Sequence, residues 1–201
     1  MPSMVNAPRK LPRQARSQST VDVILDATAL LLVAEGFART TTTRVAERAG
    51  VSIGSLYQYF PNREALVRAV EHRRDLALHA DIRQTLAETC GQGLRVVLTR
   101  GLQTLIRAHG SNLALHQVLA QEAPRFSAMD GAANADAHRY TVTRQALERH
   151  RDELRPGFDR EAAAFLMPNV IGATITATAL ARPTAFASGE LERELTEMMY
   201  Y

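Results

Sequence analysis

The sequence predicts an all-α protein, and two observations carry this prediction. Apolar residues recur at helical spacing in successive segments, as in Ile24, Ala27 and Leu31, and glycine or proline separates the segments. No segment shows the alternation of apolar and polar residues that is typical of a half-buried strand. With 201 residues, 46% of them hydrophobic, the chain can bury a core in one domain or in two small ones.

A basic arm precedes the first predicted helix. Residues 1–63 contain eight lysines and arginines against four acids, a net charge of +4, whereas residues 64–201 contain sixteen against seventeen, a net charge of −1. Residues 1–14 hold three of these cations together with Pro8 and Pro12. We therefore expect a flexible arm that suits contact with phosphates or the minor groove of DNA, with a solvated tail as the alternative.

The first helix is predicted to begin at Ser19 and to end at Gly36. Ser19 and Asp22 have the spacing of a capping box, and glycine commonly ends a helix.

Two short helices joined by a tight turn are predicted next. The first covers Thr42 to Ala49, and Gly50 can adopt the positive φ that ends it. Ser52 is a good cap for the second helix, in which Leu56 and Phe60 lie four residues apart on the core side. The outward residues carry hydroxyl, amide and aromatic groups that suit phosphate oxygens and base edges in a DNA groove about 12 Å wide. They are Ile53, Gly54, Ser55, Tyr57, Gln58 and Tyr59.

An ordinary helical hairpin would satisfy the same two-helix pattern, but the residues are more specific. The run VAERAGVSIGSLYQYFPNREAL closely resembles the DNA-binding signature of the TetR family of bacterial transcriptional regulators. The resemblance covers the first third of the chain and includes the preceding helix. It implies a DNA-binding domain at residues 15–62, in which the first helix supports the motif and Phe37 seals its base. The sequence departs from the family at Ile53, where most members have lysine.

The exposed residue types of the motif also predict how it meets DNA. Base contacts are expected from Ile53, Ser55 and Gln58, and phosphate contacts from Thr42, Thr43, Tyr57, Tyr59 and Arg63. For Arg63 the alternative is that its stem only covers apolar surface. The complete predicted DNA-binding set is Thr42, Thr43, Ser52, Ile53, Gly54, Ser55, Tyr57, Gln58, Tyr59 and Arg63.

Residues 63–201 are predicted to form a helical ligand-binding and dimerisation domain. A long helix from Arg63 to about Leu86, with Asn62 as its cap, connects the two domains. Its buried candidates are Leu66, Val70, Leu76 and Ile82. Further helices are expected at about residues 94–110, 112–121 and 140–154, with residues 127–136 as a loop or a helix start.

The segment from Ala162 to Ala181 contains no charged residue. It is long enough to cross a bilayer, but alanine, threonine, proline and asparagine make it too polar for a convincing span. We predict instead a long buried helix, followed by a last helix from Ser188 to Met199. In the TetR family the last two long helices pair across a twofold axis, which implies a homodimer. The predicted interface residues are Ala173, Thr174, Ala177, Leu191 and Leu195.

Catalytic and metal-binding patterns are missing from the sequence. It has no His-x-x-x-His or Cys-x-x-Cys spacing and no nucleophile elbow, so we expect neither an enzyme nor a metal or cofactor. The single cysteine, Cys90, excludes an intrachain disulfide and fits a reducing cytoplasm. Dispersed polar residues can still line a ligand cavity. The predicted pocket residues are His79, Leu105, His109, His116 and Asn169.

Together these observations predict a cytoplasmic, homodimeric repressor. It would bind a palindromic operator and be released by a small, largely apolar ligand. Two alternatives remain open, namely a DNA-binding protein without an effector and a protein-interaction module.

Overall fold

The computed structural model describes residues 15–126 and 132–200, and the predicted basic arm at residues 1–14 lies outside them. In these ranges the chain is helical and contains no strand, which confirms the predicted all-α fold. The α-helices are α1 (Ala15–Glu35), α2 (Thr42–Ala49), α3 (Ile53–Tyr59), α4 (Arg63–Glu88), α5 (Leu94–Gly110), α6 (Leu113–Phe126), α7 (Ala132–Arg149), α8 (Arg160–Ala181), α9 (Thr184–Ala187) and α10 (Glu190–Tyr200).

The chain divides into two compact units between Leu76 and Ala77. Helix α4 is therefore shared, since it begins in the first unit and ends in the second.

The start of α1 differs from the prediction. Ser19 lies inside the helix rather than at its N-cap, because α1 already includes Ala15. The residues between them, including Arg16 and Gln18, are good helix formers, so the helix extends beyond the capping-box signal.

Side-chain caps define the ends of α2 and α3 and confirm the predicted turn. The Thr41 hydroxyl accepts a hydrogen bond from the Arg44 N–H at 3.3 Å and caps α2. Gly50 ends α2 in the left-handed region with φ of 66°. Ser52 caps α3 by accepting a bond from the Ser55 N–H at 3.0 Å.

The core of the first unit is formed where α1, α2, α3 and the start of α4 meet. Ile24, Leu56 and Leu66 are completely buried, and Phe37 is buried as expected. Asn62 caps α4 by accepting a bond from the Ala65 N–H at 2.8 Å, which confirms its predicted role. Leu76 is 54% exposed, so the prediction that it is buried is wrong.

Glu71 on α4 makes the stability of the protein depend on pH. Partial burial and the neighbouring Asp75 raise its pKa from 4.5 to about 7, against the opposing effect of Arg68 and Arg74. The folded state therefore holds this proton more tightly than the unfolded chain does. The contribution of Glu71 to stability is complete below pH 4.5, falls as the pH rises to about 7, and stays low above it.

Glu71→Gln should therefore raise the free energy of unfolding at pH 8 by about 1 to 2 kcal/mol, after a discount for solvent screening, and leave it nearly unchanged at pH 4. Urea unfolding at both pH values measures this. Glu47→Gln is the matched control, because Glu47 is an exposed carboxylate in the same unit. A variant that is no more stable than the parent at pH 8 would contradict the assignment.

The core of the second unit joins α5, α8, α9 and α10. Leu102, Ile106, Ile171 and Ile175 form one buried cluster, together with Ala185, Leu191 and Leu195. Leu191 and Leu195 were predicted to face a partner subunit, and that placement is wrong because both pack inside their own chain. Periodicity identifies the apolar face of a helix but does not say which surface covers it.

The end of α7 also differs from the prediction, because the helix stops at Arg149 and a 3-10 turn covers Arg151–Glu153. This turn brings Glu153 to the start of α5, where its carboxylate accepts the Leu94 N–H at 2.8 Å. A hydrogen bond with the His150 ring and the one from the Leu94 N–H both lower the pKa of the Glu153 carboxyl.

At its other end α7 begins at Ala132, within the segment that the sequence left open as a loop or a helix start. Helix α6 continues past Pro124 to Phe126 instead of ending before it.

Helix α8 is buried along one face only, which corrects the prediction that other helices surround it. Its buried residues, Ala164, Ile171, Ile175 and Ala179, lie on one side. On the opposite side Phe165, Leu166, Val170 and Leu180 are 62%, 54%, 45% and 43% exposed. We call this side, from Ala162 to Leu180, the outer face of α8.

Within residues 15–126 and 132–200, two helical segments, Ser17–Glu35 and Arg160–Ala181, are long and apolar enough to cross a membrane by length and composition. Core helices of soluble proteins meet the same criterion, so the finding weighs little.

Candidate nucleic-acid interface

Helix α3 presents one polar and aromatic face to solvent. Leu56 and Phe60 are buried, whereas Ile53 and Tyr57 are 40% and 41% exposed. Gln58 and Gly54 are exposed as well. This arrangement leaves an amide, a phenol hydroxyl and an aliphatic side chain on a single helix.

The predicted orientation of Tyr59 is wrong. Its side chain is only 8% exposed and belongs to the core of the first unit. Tyr59 directly precedes Phe60, and the end of α3 turns both aromatic rings inward. Tyr59 therefore does not belong to the exposed face of α3.

Two residues predicted to hold phosphates meet between α2 and α3. The Thr42 Oγ1 and Tyr57 Oη atoms are 3.1 Å apart, within hydrogen-bonding distance. Thr42 is the first residue of α2, where backbone N–H groups and the helix dipole favour an anion. The structure therefore places two hydroxyls beside a helix N-terminus, and Thr43 lies exposed next to them.

Ser52 and Ser55 form a second hydroxyl pair at the start of α3. Their Oγ atoms lie 2.8 Å apart, and the same Ser52 oxygen caps the helix. Ser52 is exposed and also positions the Ser55 side chain, which is partly exposed.

Arg63 packs against the base of the motif. Its guanidinium carbon lies 3.9 Å from the centroid of the Phe37 ring. Its Nη1 donates to the carbonyl of Phe37 at 3.3 Å, and its Nη2 lies 3.3 Å from a Glu64 oxygen. The side chain therefore covers apolar surface, which was the alternative expectation for Arg63.

Two ion pairs that join α1 to α2 and to α4 had no signal in the sequence. Arg44 on α2 donates to Glu35 at 2.6 Å, and Arg73 on α4 donates to Asp26 at 2.7 Å. The partners of the second pair are 47 residues apart. In neither pair are the two residues three or four positions apart in the sequence, as helical neighbours would be. Only the tertiary structure therefore reveals these ion pairs.

The predicted ligand residues are brought together only in part. His109 and His116 lie with their ring centroids 4.5 Å apart, and His116 is buried. His79 instead pairs with His138, at a centroid distance of 4.2 Å. Leu105 packs against the core cluster of the second unit.

Asn169 is exposed on α8, so its prediction as an internal pocket residue is wrong. It belongs to the side of the helix opposite the buried Ile171 and Ile175. Two concave surfaces in the described parts of the chain are open to solvent, and neither includes a predicted ligand residue. They are lined by Gln18, Ser19, Asp22, Val23 and Asp26, and by Arg144, Gln145, Glu148, Arg149 and Arg151.

Family comparisons cover both units. Residues 24–70 match the profile of bacterial regulatory proteins of the tetR family, and residues 93–201 match the profile of a tetracyclin repressor-like C-terminal domain. The chain belongs to the TetR family. It is thus a transcriptional regulator with an N-terminal helix-turn-helix, formed by α2 and α3. Members of the TetR family are generally non-enzymatic DNA-binding proteins.

Relatives agree with membership of the TetR family. The chain is 29% identical over 127 residues to a nucleoid occlusion factor SlmA of Glaesserella parasuis, with 61% of this chain and 58% of that protein covered. The alignment thus spans little more than half of that relative.

Two solved structures share the fold of this TetR-family chain. The fatty acid degradation regulator FadR from Bacillus halodurans has a TM-score of 0.73 at 15% identity, covering 94% of this chain and 96% of that one. FadR from Bacillus subtilis in complex with stearoyl-CoA has a TM-score of 0.68 at 15% identity, covering 89% and 96%. At these identities the likeness concerns the fold alone.

Proposed function

We propose that this TetR-family regulator is a cytoplasmic repressor that binds a palindromic operator as a homodimer and is released by a small, largely apolar ligand. The observation that carries the proposal is the exposed face of α3. Ile53 can contact a thymine methyl group, and Gln58 can bond an adenine through its amide. The hydroxyls of Thr42 and Tyr57 lie 3.1 Å apart and can hold one phosphate.

Gly54 supports close contact between α3 and DNA. A glycine inside a helix costs about 1 kcal/mol relative to alanine. The chain itself leaves room for a side chain here, because a Cβ on Gly54 would meet only the Ser52 Oγ at 3.9 Å. The advantage of glycine therefore lies outside the protein, where the absence of a side chain lets the backbone approach the groove.

Two features support the proposed homodimer, namely the small size of the base-reading surface on one α3 helix and the exposed outer face of α8. One α3 helix contacts too few base pairs for specific binding, so two must read the halves of a palindrome. The outer face is uncharged from Ala162 to Leu180, and a twofold contact can place it against its own copy without charge repulsion. Ala173 and Ala177 are exposed on this face and Thr174 lies at its edge, which fits their predicted role.

Duplex binding should respond differently to two changes on α3. Gln58→Ala should weaken binding by roughly 1 to 3 kcal/mol and relax the preference at one base position. Tyr57→Phe should weaken binding to all sequences alike, because it removes a phosphate contact. Selection of bound sequences from random duplexes, followed by fluorescence anisotropy at several salt concentrations, measures both effects.

Gln145→Ala is the matched control for Gln58→Ala, since Gln145 is an exposed glutamine on α7 in the second unit. It should leave affinity and preference unchanged. Affinity that is insensitive to salt and to both α3 changes would reject DNA binding and favour the alternative, a protein-interaction module.

The ligand is proposed to bind in the second unit, near His109 and His116. Imidazole rings can orient a ligand inside an apolar site, and the 4.5 Å contact between these rings joins α5 to α6. The Gln117 Nε2 donates to the Ala179 carbonyl at 2.7 Å, so α6 is joined to α8 as well. A ligand that separates α5, α6 and α8 would change the packing of the second unit, which also contains the end of α4.

A further inference from the structure

One polar side chain lies in the middle of the outer face of α8. Helical spacing aligns Asn169 with Leu166 on one side and with Ala173 on the other. The neighbouring Phe165 and Val170 are 62% and 45% exposed and apolar. The carboxamide of Asn169 is thus surrounded by apolar surface that the described residues of its own chain leave exposed.

The Asn169 side chain keeps hydrogen-bonding capacity after its contact within the helix. Its Nδ2 donates to the Phe165 carbonyl at 2.6 Å, which uses one of two N–H groups. Among the described residues the Oδ1 atom and the second N–H make no other hydrogen bond. They face solvent in the single chain.

We propose that Asn169 selects one arrangement of the two α8 helices in the homodimer, because its amide must find a hydrogen-bond partner on the second copy. This inference rests on the homodimer proposed above. Apolar contacts are non-directional, so the rest of the outer face tolerates several alignments. Once the second copy removes water from the amide, each alignment that leaves it unbonded is disfavoured about 5- to 150-fold. A single buried asparagine selects register in coiled coils in the same way.

The single cysteine of the chain allows a direct test. Cys90 is exposed in the second unit, and a spin label on it reports the distance between the two protomers without any added mutation. The labelled parent protein should give one narrow distance distribution. Asn169→Leu should remain dimeric and give a broadened or multiple distribution, because alignments that were disfavoured become comparably populated.

Thr174→Val is the matched control on the same helix. The Thr174 hydroxyl already donates to the Val170 carbonyl at 2.8 Å in its own helix, so its loss should leave one narrow distribution. Asn169→Ala serves as a second variant and should broaden the distribution as Asn169→Leu does. Circular dichroism confirms that each variant is folded, as expected for an exposed position.

An unchanged narrow distribution in both Asn169 variants would overturn this inference and leave the homodimer intact. A monomeric Asn169→Leu variant would overturn it as well, since an apolar replacement should keep or tighten the contact. A monomeric mass for the parent protein, without any distance between labels, would instead reject the homodimer itself.

Discussion

Leu166→Arg should convert the protein into a monomer and remove specific operator binding. Leu166 is 54% exposed near the middle of the outer face of α8. Because a twofold contact duplicates every change, the variant would bury two guanidinium groups without partners. One uncompensated buried charge costs about 3 to 5 kcal/mol. A monomer reads a single half-site, so affinity for the palindrome should fall by about 10³-fold or more, towards non-specific binding.

Sedimentation equilibrium at micromolar concentration and anisotropy with the selected duplex measure this prediction. Val96→Arg is the matched control, because Val96 is 41% exposed on α5 and receives the same charge in the same unit. It should remain dimeric and bind the operator. A dimeric Leu166→Arg variant with the affinity of the parent would show that the outer face of α8 is not the interface.

The sequence predicts most reliably what local chemistry decides. Thr41, Gly50, Ser52 and Asn62 act on backbone groups within four residues, so the ends of α2, α3 and the start of α4 could be assigned from the sequence. The same holds for the inward position of Leu56, which follows from helical spacing within a seven-residue helix.

The sequence does not decide what covers an apolar surface. Leu191 and Leu195 do form an apolar face, but α5 and α8 of the same chain cover it. Helix α8 is apolar on nearly every side, so periodicity could not show which side is exposed or that Asn169 lies there. Tyr59 fails for a related reason, since an aromatic ring with a hydroxyl suits both a core and a DNA contact.

The site itself was predicted in its residue types but not in its geometry. The hydroxyls of Thr42 and Tyr57 were expected to act on phosphates separately, and the structure joins them across two helices. The contact of Arg63 with Phe37 spans 26 residues and has no local signature. Such contacts arise only when the helices pack together.

Ligand and operator should weaken each other's binding by the same factor. Two recognition helices must lie about 34 to 36 Å apart, or a multiple of this, to enter successive major grooves of an operator. Helix α4 runs from the unit that contains α3 into the unit that contains His109 and His116. Some positions of α4 do not allow the two recognition helices to keep this spacing. A ligand that binds more tightly when α4 is in such a position therefore disfavours the DNA-bound state. The expected coupling is about 1 to 3 kcal/mol, or 5- to 150-fold in affinity, and thermodynamic linkage makes it reciprocal.

Titration of uncharged aromatic and long-chain aliphatic compounds, with and without the selected duplex, tests this reciprocity. A duplex with scrambled half-sites is the control, since non-specific contact does not require the correct spacing of the two recognition helices. A compound that releases the operator should bind more weakly when the operator is present, and the scrambled duplex should change its affinity little. Equal affinity under all three conditions, for every compound that binds, would contradict ligand release. A ligand that binds the DNA-bound and the released state equally well cannot shift their populations. The protein would then be a DNA-binding regulator without an effector.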